Sequence, residues 1–151
     1  MKILTEDEVI DAVILFLQKE GWAIETRCTV GQRGDDLVAV RNGDHLVIEA
    51  KGAGSSKSHT NRFGLEFTPG QVFDHVAKAV LKDLRVLGTS DARSGIALPD
   101  NEDHRREVDL ILKPLSAVRV QVFFVSEQGS VRRQTTLDHE ESSSQALPQI
   151  R

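Results

Sequence analysis

The segment DDLVAVRNGDHLVIEAK, residues 35–51, carries in Asn42-Gly43 one of the strongest short hairpin signals a sequence can hold. Asn-Gly between two short apolar runs suits a turn that needs positive φ at two successive residues. The spacing therefore predicts strands over 35–41 and 45–51 joined by a type I′ hairpin turn at Asn42 and Gly43. A two-residue turn also dictates register. Arg41 falls opposite Asp44, Val40 opposite His45, Val38 opposite Val47, and Asp36 opposite Glu49.

Side chains alternate between the faces of a strand. On this register Asp36, Val38, Val40, Val47, Glu49 and Lys51 share one face, and Asp35, Leu37, Ala39, Leu46, Ile48 and Ala50 share the other. Opposed side chains have Cβ atoms about 4.5–5.5 Å apart, and like charges there destabilise the pair. Two carboxylates thus stand side by side at the end of a sheet, with the Lys51 ammonium one diagonal step away. A divalent cation between the acids converts that repulsion into coordination, and hard oxygen ligands favour Mg²⁺, with Mn²⁺ as a substitute. The register selects Asp36 for the site and turns Asp35 away from it.

Around the hairpin the chain alternates helical and extended patterns. Thr5 and Glu8 have the spacing of a capping box. Apolar residues then recur at Ile10, Val13, Ile14 and Leu17, and Gly21 closes this first helix. Residues 22–30, containing Trp22 and Cys28, read as a strand. Thr68-Pro69-Gly70-Gln71 opens a second helix, with an expected apolar stripe of Phe73, Val76, Ala77, Val80, Leu84 and Leu87, ending at Gly88. Residues 94–99 form a short strand. A third helix spans 101 to about 116, broken or kinked at Pro114. Residues 118–125 form another strand, and SVRRQTTL adds an edge strand. This order predicts an α/β fold with a mixed central sheet and helices on both faces. Residues 1–137 make one domain, and 138–151 read as a disordered polar tail.

Composition narrows the function classes. Apolar and charged residues at 39% and 28% are ordinary for a globular chain, and no apolar run is long enough to span a membrane. A net charge of −4 argues against a generic polyanion binder. The single cysteine, Cys28, excludes an internal disulfide and thiolate zinc sites, and suits a reducing cytoplasm. The five histidines have no HxxxH spacing, which argues against a histidine-built metal centre.

Gly34-x-Asp36-Leu-Val, a turn, and then Ile48-Glu49-Ala50-Lys51 resembles the signature of the PD-(D/E)xK nuclease superfamily. Asp35 stands where that pattern has proline. The resemblance implies a restriction-endonuclease-like αβββαβ core, with the helix and strand after residue 100 as an added unit on the C-terminal side. It implies that Asp36, Glu49 and the Ala50 carbonyl hold the metal while Lys51 acts on the attacking water. The implied activity is endonuclease-like, Mg²⁺-dependent hydrolysis of DNA, with in-line attack leaving a 5′-phosphate and a 3′-hydroxyl. A non-cleaving module on the same fold, holding DNA or a partner, is the alternative.

Further residues are drawn in from the same resemblance. Glu6 matches the acid that the family often carries on its first helix, and it equally suits a solvated helix start. Gln71 matches a glutamine that some members place on the helix after ExK, and it equally suits the capping box with Thr68. Gln71, His75, Lys78 and Lys82 form a polar stripe, in which Gln71 and Lys78 are expected toward substrate and His75 and Lys82 toward solvent. The loop KGAGSSKSHTNRFG is long for a compact domain and carries Lys57, His59 and Arg62 without an acid, suited to nucleic-acid backbone contacts. A homodimer is compatible with all of this.

Overall fold

The computed structural model describes residues 2–55, 61 and 63–134. Its elements run α1 (Glu6–Lys19), β1 (Ala23–Arg27), β2 (Leu37–Arg41), β3 (Asp44–Ala50), α2 (Pro69–Thr89), β4 (Arg93–Pro99), α3 (Glu102–Ala117), β5 (Val120–Val125) and β6 (Val131–Gln134). The strands form one mixed sheet in chain order, β1 to β6. β1, β2 and β3 are an antiparallel meander, β3, β4 and β5 run parallel, and β6 returns antiparallel on the edge. The expected mixed sheet flanked by helices is the one observed.

Local chemistry sets the helix starts. The Thr5 hydroxyl accepts from the Glu8 N–H at 3.2 Å, and the Glu8 carboxylate accepts from the Thr5 N–H at 2.9 Å. Thr68 and Gln71 repeat this reciprocal cap with Pro69 in the first helical turn. At the hairpin, Asn42 and Gly43 have φ of 51° and 81°, as a type I′ turn demands. The pairing follows the expected register from Arg41–Asp44 through Leu37–Ile48.

The sheet separates two cores. Val9, Ile10, Val13 and Leu17 of α1 pack with Leu37, Leu46, Ile48, Ala97 and Phe123 on one face. On the other, α2 and α3 bury Val72, Val76, Ala79, Val108 and Leu115 against Ile96, Leu98, Val122 and Phe124. Each fully buried aliphatic side chain here contributes about 1.5–3 kcal/mol.

Four boundaries or faces differ from the sequence expectation. β1 ends at Arg27, because Cys28 and the following residues leave the sheet in a loop in which Gly31 and Gly34 take positive φ. α3 runs through Pro114 to Ala117, and the carbonyl that loses its helical donor there belongs to Leu110, an exposed residue. β5 begins at Val120, since Val118 caps α3 and Arg119 turns the chain with φ of 63°. The buried line of α2 is Val72, Val76, Ala79 and Asp83, with Val80 and Leu87 half-buried; Phe73, Ala77 and Leu84 of the expected stripe are exposed. Residues 138–151 lie outside the described residues.

Candidate active site

β3 delivers the site. Glu49 lies one residue from its end, on the face covered by α2, and Lys51 follows directly. Glu49 is 5% exposed, so its charge needs partners. Its Oε1 receives Lys51 Nζ at 3.0 Å and Lys82 Nζ, from α2, at 2.6 Å. These are charge-assisted contacts in a partly dry setting, where they are stronger than at an open surface.

Asp36 enters where the ladder between β2 and β3 stops. Its carbonyl accepts from the Cys28 N–H at 2.9 Å, and its side-chain Oδ2 accepts from the Ala50 N–H at 2.8 Å. Alternation of an antiparallel ladder would give that N–H to a main-chain carbonyl of the partner strand. The Asp36 side chain substitutes for it, so the carboxylate is anchored beside Glu49. Burial drives the Asp36 carboxyl up to about 7; the Ala50 hydrogen bond opposes this, Glu49 and Glu6 reinforce it, and Lys51 opposes it.

The same break in the ladder moves Asp35. Alternation predicts it on the opposite face, but pairing ends at Leu37, and Asp35 is exposed along the groove between the hairpin and α2. That groove encloses about 800 Å³ and is lined by Val38, His45, Val47, Lys82 and Arg85 among others.

Glu6 reaches the cluster because Gly52 has no side chain. A Cβ at Gly52 would lie 2.7 Å from the Glu6 backbone nitrogen and 3.0 Å from the Leu4 carbonyl. The Ala53 N–H donates to that carbonyl at 2.7 Å, pinning the start of α1 to the end of β3. Burial raises the Glu6 carboxyl, partly offset by Lys51 and reinforced by Glu49. Glu6, Asp36, Glu49, Lys51 and Lys82 therefore share one electrostatic environment.

Four of the remaining expected residues lie on α2. Gln71 Oε1 is engaged by the Thr68 N–H at 3.0 Å, in the cap. Lys78 is exposed with no ion pair among the described residues. His75 is half-buried edge-on to Phe67 at 4.4 Å, and burial lowers its imidazole. Lys82, expected toward solvent, is the α2 side chain that meets Glu49. Lys57, His59 and Arg62 lie outside the described residues.

Asp83 went unnoticed in the sequence. It is 1% exposed beside Ser94, and neither Asp83 Oδ2 nor Ser94 Oγ has a hydrogen-bond partner among the described residues. Burial pushes its carboxyl up to about 8, and the neighbouring Ser94 hydroxyl offsets only part of that. An acid three residues past Val80 and four before Leu87, on the apolar side of an amphipathic helix, was the available signal.

The donor set can be weighed against a cation. Among the described residues, no three carboxylate, imidazole or thiol side chains form a ready-made cage. Mg²⁺ does not require one, since it commonly takes one or two carboxylates with waters and substrate phosphates. Asp36 Oδ1 and Glu49 Oε2 make no hydrogen bond among the described residues, so each acid retains a lone oxygen for a metal. These carboxylate oxygens are hard donors of the type such an ion takes, and the Ala50 carbonyl follows Glu49 in the chain.

The fold is restriction-endonuclease-like: a mixed sheet with the acids at the open end of its central hairpin. Two solved structures share it. One is an XisH family protein from Nostoc punctiforme PCC 73102, with 16% identity and a TM-score of 0.50 over 83% of this chain and 96% of the other. The second is an FdxN element excision controlling factor protein from Anabaena variabilis, also with 16% identity, 83% and 96% coverage, and a TM-score of 0.52. No protein-family model and no curated protein matches the sequence.

Proposed function

We propose that this protein is a metal-dependent nuclease that hydrolyses DNA phosphodiester bonds. The observation that carries the proposal is the convergence of Asp36, Glu49 and Lys51 at the end of β3, with Asp36 anchored by the Ala50 N–H. Excision control, the role in the name of one structural neighbour, is in keeping with a DNA substrate.

Asp36 and Glu49, with the Ala50 carbonyl, would hold Mg²⁺. When bound, the cation supplies Lewis acidity toward phosphate and lowers the pKa of water. Lys51, held by Glu49 as an ammonium, would orient the attacking water by donating a hydrogen bond to it, and would serve as its base only after giving up its own proton to solvent. Lys82, which is paired with Glu49 but half exposed, would offer its ammonium to a phosphate oxygen, where charge develops in the transition state. Glu6 accepts a hydrogen bond from water at the rim. The groove between the hairpin and α2 admits the strand beside the scissile bond.

One observation favours the non-cleaving alternative: two ammonium groups already neutralise Glu49. Plasmid nicking and single-stranded DNA degradation, with Mg²⁺ or with chelator, separate the two readings. Cleavage that needs metal and disappears in Asp36→Ala supports the nuclease. DNA binding without cleavage in either metal supports the module.

A further inference from the structure

α2 carries a second apolar stripe that no part of the described fold covers. Gly70, Phe73, Ala77, Leu81, Leu84 and Gly88 recur at intervals of 3, 4, 4, 3 and 4 residues. Eighteen residues over five turns is about 3.6 per turn, so the stripe runs straight along the helix. Its centre lies roughly 130° around the helix from the buried Val72–Val76–Ala79–Asp83 line. Phe73, Leu81 and Leu84 are 58%, 50% and 42% exposed.

Among the described residues, neither glycine at its ends is required by close packing or by positive φ. A Cβ added at Gly70 or Gly88 would meet nothing within 4 Å, and neither has positive φ. Inside a helix glycine costs about 0.5–1 kcal/mol relative to alanine. Small residues at an exposed stripe allow a second backbone to come close.

We propose that this stripe is a homodimer interface in which α2 packs antiparallel against α2 of a second copy. The occupant follows from self-complementarity. With the two-fold axis beside residue 79, Phe73 meets Leu84 of the other copy, Ala77 meets Leu81, and Gly70 meets Gly88. Large sits against large at the flank and large against small at the centre. Along the opposite flank the same axis brings Asp74 to Arg85. Neither side chain makes an ion pair or a side-chain hydrogen bond among the described residues. The symmetry creates that charge pair twice, and a parallel arrangement creates neither. An isologous contact of this kind closes on itself.

α2 is 21 residues, about 31 Å long. One helix pair buries less than the ~800 Å² per partner of a standard interface, which points to dissociation in the micromolar range. The inference does not rest on the nuclease reading: the apolar stripe lies outside the cluster around Glu49, and of the residues invoked only Arg85 also lines the groove beside that cluster.

Sedimentation equilibrium of the full chain from about 1 to 200 µM tests it. The wild type should populate a dimer. Leu81→Asp should be monomeric throughout, with an unchanged far-UV spectrum and, at concentrations where the wild type is also monomeric, an unchanged melting transition, since the residue is outside the core. Asp74→Arg and Arg85→Asp should each weaken the dimer about tenfold or more, by opposing like charges at two symmetric places. The double variant D74R/R85D should recover most of the affinity. A wild type that stays monomeric, a dimer that survives Leu81→Asp, or singles that the double variant does not rescue would each overturn the pairing.

Discussion

Lys82 Nζ on α2 lies 2.6 Å from Glu49 Oε1 on β3, although 33 residues separate them in the chain. The contact ties the long helix to the strand that carries the acids. It also puts a protein ammonium where a metal cation would otherwise neutralise the same carboxylate. Its consequence is a competition between lysine and cation. Removing the ammonium in Lys82→Met should strengthen Mn²⁺ or Mg²⁺ binding without DNA by up to about fivefold, the 0.2–1 kcal/mol expected of a pair whose lysine is half exposed. Calorimetric titration reads this directly, and unchanged affinity would remove Lys82 from the metal's surroundings. With DNA present the same variant should raise KM, because the ammonium no longer meets phosphate.

Asp36→Asn separates ligand chemistry from folding. Burial disfavours the charged Asp36, so a neutral isostere that can still accept from the Ala50 N–H should leave the metal-free protein as stable as before, or more so. Metal should raise the wild-type Tm by mass action, equivalent to about 2.7 kcal/mol at a hundredfold excess over Kd. The variant should lose most of that shift and all cleavage. A clearly destabilised Asp36→Asn, with a wild type indifferent to both metals, would make these acids structural.

Lys51→Ala should behave differently from Asp36→Asn. Its ammonium is assigned to water and not to the cation, so the metal-induced rise in Tm should persist while kcat falls by about 10²-fold or more. Parallel melts and single-turnover cleavage with Mg²⁺ distinguish the two variants. Loss of the thermal shift in Lys51→Ala would place the lysine in the metal site itself.

Asp83 sets a pH dependence. Its carboxyl titrates near 8 in the fold against an ordinary value of 3.8, so the native state holds a proton that the unfolded chain releases. The contribution to stability is therefore fully present below about pH 4 and is lost as pH rises through about 8. Asp83→Asn should flatten that decline. Urea unfolding should show little difference between the proteins at pH 4 and an advantage for the variant at pH 9 of several kcal/mol, on the order of 1.4 kcal/mol for each of about four pH units. Parallel curves for the two proteins would contradict the assignment.

Gly52 couples α1 to the site. Alanine there places a Cβ 2.7 Å from the Glu6 backbone nitrogen, and backbone yields less readily than a side-chain tip. Gly52→Ala should destabilise the protein by about 1–3 kcal/mol and shift the start of α1 away from β3. Denaturant unfolding together with amide chemical shifts of residues 4–8 would show both effects.

What the sequence determined by itself was local. Asn42-Gly43 set the hairpin and its register because a two-residue type I′ turn allows one pairing. Thr5–Glu8 and Thr68–Gln71 marked helix starts because a capping box satisfies donors within four residues. Packing decided the rest. α2 carries two apolar lines, one through Val72, Val76 and Ala79 and one through Phe73, Ala77 and Leu84, and periodicity does not choose between them. Docking on β3 and β4 chose the first, which rotated Lys82 toward Glu49, left Lys78 in solvent and buried Asp83. Alternation failed at Asp35 for a related reason: a strand keeps its faces only while its ladder continues, and the Asp36 side chain ends that ladder by taking the Ala50 N–H. Glu6 joined the acids through the space left by Gly52, a contact between segments 46 residues apart that no local rule could anticipate.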